Sequence, residues 1–267
     1  MKKLSLTLLF AALVSCATSP TGRNRLILVG DQQINQMGAA SFQQLKSDET
    51  VSTNRRANRY VQCISTAIIN QLPNNWRQTP WEVVVFEDKS ANAFALPGGK
   101  IGVNTGLLSV AETADQLATV IGHEVAHVMS KHGAERVSIQ MAAQTGLQVV
   151  DIMSRQHIEG SQERQMLMTG LGLGTQVGVL LPFSRTHESE ADEVGLKLMA
   201  MAGFDPRASI TLWENMSKAH GSQRAPEFLA THPNPSNRIK RLSGLMQAAI
   251  NTQQQAEARG LNPQCRY

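Results

Sequence analysis

The run His123-Glu124-Val125-Ala126-His127 sets two imidazoles four residues apart with a carboxylate beside the first. On an α-helix such residues share one face, about one turn apart, so the two rings can grip a single metal ion. Glu124 then sits beside that ion rather than behind it. The geometry suits a zinc hydrolase, with two His ligands and a Glu that acts on water. Zinc needs at least one more protein ligand, which the rest of the chain must supply.

Glu188-Ser189-Glu190-Ala191-Asp192 is the best source. Glu188 and Asp192 are four apart and project from one helix face, whereas Glu190 points roughly 160–200° away and is expected to be solvated. Of the other histidines, His132 and His187 are rotated off the ligand faces, and His157 and His220 have no motif around them. All four are expected at the surface or behind the ligands.

The elements that must position these groups can be read from periodicity. Helices are expected at Asp31–Lys46 and Asn54–Leu72, then a strand at Trp81–Phe86. Two short strands follow, near Ala91–Leu96 and Lys100–Asn104, joined by the turn Pro97-Gly98-Gly99. Ser109-x-x-Glu112 reads as a capping box opening the motif helix, which runs to about Lys131 and stops at Gly133. An amphipathic helix is expected over Ala134–Gln156.

Met166–Phe183 carries no charge but contains four glycines, Thr169, Thr175 and Gln176. It is expected to be a buried core helix rather than a membrane span. Helices over Ser184–Met201, Ala208–Lys218 and Pro235–Ala258 complete the chain. The fold class expected is α+β, mainly α, with one small sheet. No internal repeat is visible, which argues against a dedicated docking array.

The chain has 267 residues, 42% of them hydrophobic and 17% charged, enough for one full core. The formal charge of +4 is dispersed and aromatic residues are scarce, so no nucleic-acid partner is expected. Lys2-Lys3 and the apolar Leu4–Val14 form a leader too short to span a bilayer as a mature helix.

Leu13-Val14-Ser15-Cys16 resembles the lipobox of bacterial lipoproteins, which implies acylation of Cys16 after removal of residues 1–15. Ala17, rather than Asp, implies by resemblance to enterobacterial sorting an outer-membrane placement, facing the periplasm. Residues 16–30, with Thr18–Leu28 polar, are expected to tether a single domain at 31–267. Cys63 and Cys265 then remain as an even pair in an oxidising compartment, either disulfide-bonded or separate.

Glu-x-x-Ala-Asp downstream of His-Glu-x-x-His, with Asn92-Ala-Phe-Ala-Leu-Pro-Gly-Gly upstream, resembles the HtpX/BepA-type zinc metallopeptidases. That family also includes the mitochondrial Oma-type and prenyl protease branches. The resemblance covers roughly Trp81–Leu242 and implies a zincin-like domain binding one Zn²⁺ through His123, His127 and Glu188. It implies Glu124 as catalytic base and Asp192 as the residue orienting a ligand.

It further implies that Asn92, Ala93, Phe94, Ala95 and Leu96 form an edge strand that holds extended peptides by main-chain pairing. His232-Pro233 and Arg238 match another family element passing near the metal. Arg238 or His232 is expected to contact substrate or oxyanion, and His232 to cap the zinc reversibly. The implied substrates are misfolded or misassembled envelope proteins. The alternative is a chaperone or assembly factor whose zinc site is mostly closed.

Overall fold

A computed structural model describes residues 16–220, 228, 232 and 235–267. The leader 1–15 and Pro233 lie outside the described residues. Helix α4 (Ala114–Met129) carries His123 and His127 and begins at Thr113, whose hydroxyl accepts a hydrogen bond from the Gln116 amide. The Gln116 side chain in turn accepts from the Glu112 amide. Together they satisfy backbone donors at the helix start, much as a capping box does. The box expected at Ser109 is not the cap. Ser109 closes a 3₁₀ turn, Thr105–Ser109, and donates its hydroxyl hydrogen to the Gly106 carbonyl.

Nearly every residue of α4 from Gln116 onward is buried, which makes it the central helix of the core. It ends at Met129; Lys131, whose φ of 54° lies in the left-handed region, turns the chain, and α5 (His132–His157) starts at once. Gly133, expected as the stop, instead lies inside α5.

Against α4 pack α2 (Arg55–Ile69), α7 (Leu181–Met201) and α8 (Ala208–His220); α9 (Pro235–Ala258) packs on α7 and α8, α1 (Asp31–Asp48) packs on α5 and the small sheet, and the short α3 (Asn74–Arg77) follows α2. Asn54 caps α2 by accepting from the Arg56 and Ala57 amides. The main core joins Val61, Ile64 and Ile68 of α2 to Leu117, Ile121 and Val125 of α4 and to Met199 of α7. Cys63 of α2 and Cys265 are disulfide-bonded, with Cα atoms 5.8 Å apart. The bond ties the C-terminal tail to α2.

Three strands cover one side of this core: β3 (Glu82–Phe86), β4 (Ala93–Leu96) and β5 (Lys100–Asn104). Their order is β3-β5-β4, with β3 parallel and β4 antiparallel to β5. Gly98 and Gly99, at φ 82° and 76°, make the tight reversal between β4 and β5. β4 is therefore an edge strand, and its free side faces α4.

Two expectations fail here. The segment Thr18–Leu28, read as a loose tether, is folded: β1 (Cys16–Thr18) pairs antiparallel with β2 (Asn24–Leu26). Arg25 of β2 is buried and donates to the carbonyls of Ser130 and Thr18. The charge-free stretch read as a core helix is not core either. No residue described in α6 (Ser161–Thr175) is buried, and Met166 and Leu173 are 77% and 63% exposed. Nor is it separate from the helix after it. A π-helical turn, Gln176–Leu180, joins α6 to α7, and Ser161–Met201 forms one run long and apolar enough, by length and composition, to cross a bilayer.

The crossing of α4 and α7 depends on two glycines. A Cβ built on Gly195 would lie 2.8 Å from the His123 nitrogen and 2.9 Å from the Gly122 carbonyl carbon. A Cβ on Gly122 would lie 2.9 Å from the Gly195 oxygen. The obstructing atoms are backbone and cannot rotate away, so a side chain at either position must push the helices apart. Gly195→Ala is expected to destabilise the protein by about 1–3 kcal/mol, the usual range for overpacking. Urea denaturation of the variant checks this, and an unchanged midpoint would show that the helices separate freely.

Candidate metal centre

The close crossing of α4 and α7 brings Glu188 against the two motif histidines. Glu188 Oε2 lies 3.3 Å from His123 Nε2, Glu188 Oε1 lies 3.5 Å from His127 Nε2, and the two Nε2 atoms are 3.0 Å apart. His232, from the segment before α9, completes the group, with its Nδ1 2.8 Å from Glu188 Oε2 and 3.2 Å from His123 Nε2. One ligand atom from each of His123, His127, Glu188 and His232 lies within 4.8 Å of the others; the first three residues are buried, and the His232 side chain is 12% exposed.

This donor set fits a zinc ion. Imidazole nitrogens facing one another at hydrogen-bond distance, with a carboxylate between, are lone-pair donors converging on one point. Glu124 stands beside them. Its Oε2 accepts a hydrogen bond of 3.1 Å from the Ala95 amide, while Oε1 accepts none among the described residues and lies 3.4 Å from His232 Nε2. A buried carboxylate oxygen without a donor, aimed beside a ligand cluster, is a group held ready for a proton.

Charge is distributed unevenly across the cluster. Burial alone would raise the Glu188 pKa, but hydrogen bonds from His123 and His232 outweigh it and hold Glu188 far below the carboxylate range. His123 is raised to about 9: burial and Arg238 oppose this, but Asp192 and Glu188 prevail. His127 is pushed well below its usual value by burial and by the neighbouring His123 charge. Glu124 is pushed up by burial, as suits a group that must pick up a proton.

Asp192 lies on the far side of His123, with Oδ1 3.2 Å from His123 Nδ1. Arg238 Nη2 stands 2.9 Å from the same nitrogen, so a donor and an acceptor both face it; with Nε2 given to a metal, Asp192 is the group that can take the Nδ1 proton. Arg238 was expected to face substrate or oxyanion, and the structure places it elsewhere. It is buried behind the histidines, where Nε donates to Asp192 Oδ2 at 2.8 Å, Nη2 pairs with Asp192 Oδ1, and Nη1 lies 3.1 Å from Glu188 Oε2. The Trp213 ring covers its other face at 3.9 Å. A guanidinium enclosed by two carboxylates and an indole organises those carboxylates; it does not line the cleft.

The cleft itself has a volume of about 550 Å³ and runs between β4 and the start of α5. Asn92, Ala93, Phe94, Ala95 and Leu96 line one wall, and Glu124, His127 and His232 lie at its base. An extended peptide laid along β4 would pass over Glu124.

Glu190, expected to be solvated, is buried, and so are His132 and His187, expected at the surface or behind the ligands; each is less than 4% exposed. The face of α7 opposite Glu188 is not solvated because α5 and the N-terminal hairpin pack on it. His132 Nδ1 lies 2.8 Å from His127 Nδ1, and His132 Nε2 lies 3.1 Å from Glu190 Oε2. Spacing along one helix could not reveal this.

A metal-ligand pair on one helix, completed by a carboxylate from a crossing helix and served by an edge strand, defines the zincin class. Residues 55–246 match the model of peptidase family M48, and the chain belongs to that family. It is 39% identical over 163 residues to the mitochondrial metalloendopeptidase OMA1 of Schizosaccharomyces pombe, covering 61% of this chain and 45% of that one. It is 32% identical over 247 residues to the bovine mitochondrial metalloendopeptidase OMA1, covering 86% and 46%. It is 29% identical over 206 residues to the β-barrel assembly-enhancing protease of Escherichia coli K12, covering 76% and 42%. The chain thus spans less than half the length of each of these relatives.

Proposed function

We propose that this chain is a zinc-dependent metalloendopeptidase that cleaves misfolded or misassembled envelope proteins. The observation that carries the reading is the convergence of His123, His127, Glu188 and His232 beside Glu124, at the foot of an edge strand. His123, His127 and Glu188 would hold one Zn²⁺. When bound, the ion supplies Lewis-acid polarisation of water and of a peptide carbonyl.

The chain's own residues do the rest. The β4 edge, through Asn92, Ala93, Phe94 and Ala95, pairs with the main chain of an extended substrate, which gives affinity with little sequence preference. Glu124 takes a proton from the attacking water and passes it to the leaving amine. Asp192 keeps His123 in the tautomer that presents Nε2, with Arg238 steadying both Asp192 and Glu188. His232 occupies the fourth position around the cluster, so it acts as a reversible cap that must swing aside for substrate.

Placement at the membrane is part of the proposal. Residues 1–15 act as a lipoprotein signal and Cys16 carries the acyl chains, at the periplasmic face of the outer membrane, with 31–267 as one catalytic domain. The apolar exposed face of α6 is compatible with a site close to lipid. The relatives named for proteolysis and barrel assembly support a role in protein quality control.

The test is degradation of casein by the full chain, with and without a chelator. Cleavage is expected, lost on chelation and restored by zinc. Glu188→Ala is expected to lose most of its bound zinc in metal analysis, and undiminished zinc would overturn the ligand assignment. A chain that never cleaves yet restores envelope assembly would be the chaperone instead.

A further inference from the structure

The zinc reading assigns His127 as a ligand through Nε2, since that atom faces His123 and Glu188. Its other nitrogen faces away from the cluster. Nδ1 must then carry the ring's proton, and the atom it meets, 2.8 Å away, is His132 Nδ1. His132 must accept there, which leaves its own proton on Nε2, 3.1 Å from Glu190 Oε2. Glu190 accepts, and one consistent set of tautomers runs through the chain.

His132 also stacks on His187, with centroids 4.2 Å apart and planes within 14° of parallel, which fixes the plane of its ring.

Glu190 is fixed in turn by the N-terminal hairpin. Thr21 Oγ1 donates to Glu190 Oε1 at 2.8 Å, and Arg23 donates to Glu190 Oε2 from Nη2 at 3.0 Å and from Nε at 3.2 Å. The same guanidinium forms a two-pronged pair with Glu135, Nη1 to Oε1 and Nη2 to Oε2, both at 2.7 Å. His187 Nε2 lies 3.0 Å from Glu135 Oε2. Arg23 therefore neutralises two carboxylates that α5 and α7 bring together below the metal centre, each no more than 3% exposed. Without that cation, two buried anions would face each other with histidines and the more distant Arg25 to offset them.

We infer that His132 and Glu190 are positioning residues for the zinc ligand His127, and that Arg23 is the cation that holds them in place. The inference rests on the zinc reading above and extends it to residues outside the ligand set. Its consequence is that the segment directly after Cys16 is part of the metal centre's support. Arg23 stands three hydrogen bonds from the ligand, through Glu190 and His132.

The test is the zinc dissociation constant of the full chain, measured by competition with a chromophoric chelator, together with the visible spectrum of the cobalt-substituted protein. His132→Phe keeps a flat ring to stack on His187 but removes the acceptor for His127. It is expected to weaken zinc binding by about 10–100-fold, the usual range for losing a partner of a metal-bound His. Its cobalt bands should shift, because the His127 ring is no longer fixed, while its far-ultraviolet circular dichroism stays as in the wild type.

Glu190→Gln and Arg23→Ala are expected to shift zinc affinity in the same direction, and Arg23→Lys to recover part of the loss. Zinc affinity within about twofold of wild type for His132→Phe, with unshifted cobalt bands, would overturn the inference, since a partner of a metal-bound His should cost more. If His132→Phe does not fold, Glu190→Gln decides by the same criteria. If the wild type itself binds no zinc, the zinc reading fails first, and this inference falls with it.

Discussion

Replacing Glu124 by Gln is expected to abolish cleavage of an unfolded protein while zinc content stays at the wild-type level. The amide has the size of the carboxylate and can still accept the Ala95 N–H, so the cleft wall and the ligand cluster are undisturbed. What it cannot do is take a proton. Removing a general base costs about 10²–10⁴-fold in rate. In the proposed mechanism Glu124 both receives the water's proton and delivers it to the leaving amine, which places the expected loss at the upper end. Turnover of labelled casein, with zinc measured on the same sample, checks the result. Persistent cleavage at a comparable rate would remove Glu124 from the mechanism; loss of zinc along with activity would make it a ligand.

The second large effect is expected from the disulfide. Cys63 and Cys265 are 202 residues apart, so the bond closes almost the whole folded chain into one loop. The chain-entropy model gives about 5 kcal/mol for a loop of that length. That is a large part of the roughly 5–15 kcal/mol by which domains are stable. The bond lies where α2, one wall of the main core, meets the tail that carries Tyr267 onto Tyr60, with ring centroids 5.4 Å apart. Urea denaturation of Cys63→Ser/Cys265→Ser is expected to show a clearly lowered midpoint. A midpoint equal to that of the oxidised protein would mean that core packing alone fixes the tail.

These expectations bear differently on sequence and structure. The motif helix, the strand at Glu82–Phe86, the β4–β5 hairpin and the last helix were all readable, because each is set by local spacing, turn glycines or a proline. Errors arose wherever burial depended on a distant partner. Glu190 was read as solvated because it lies opposite Glu188 on α7, yet that face meets Arg23, Thr21 and His132. The charge-free stretch was read as core because apolar composition usually signals burial, yet no described residue of α6 is buried. Arg238 was read as facing substrate, but Asp192 and Glu188 enclose it.

The sequence by itself determined the pairing of the two histidines on one helix face, with Glu124 beside them, and the carboxylate expected to join them, since i to i+4 geometry within one helix is a local property. Only the tertiary structure decided how these meet. The backbone contact at Gly122 and Gly195 sets the distance at which α4 and α7 cross, and hence the reach of Glu188. The fold of residues 16–26 against α5 and α7 turns what read as a tether into the support of a ligand. Neither fact is encoded in any local spacing, because each is a contact between segments far apart in the chain, chosen by packing and charge compensation in the folded core.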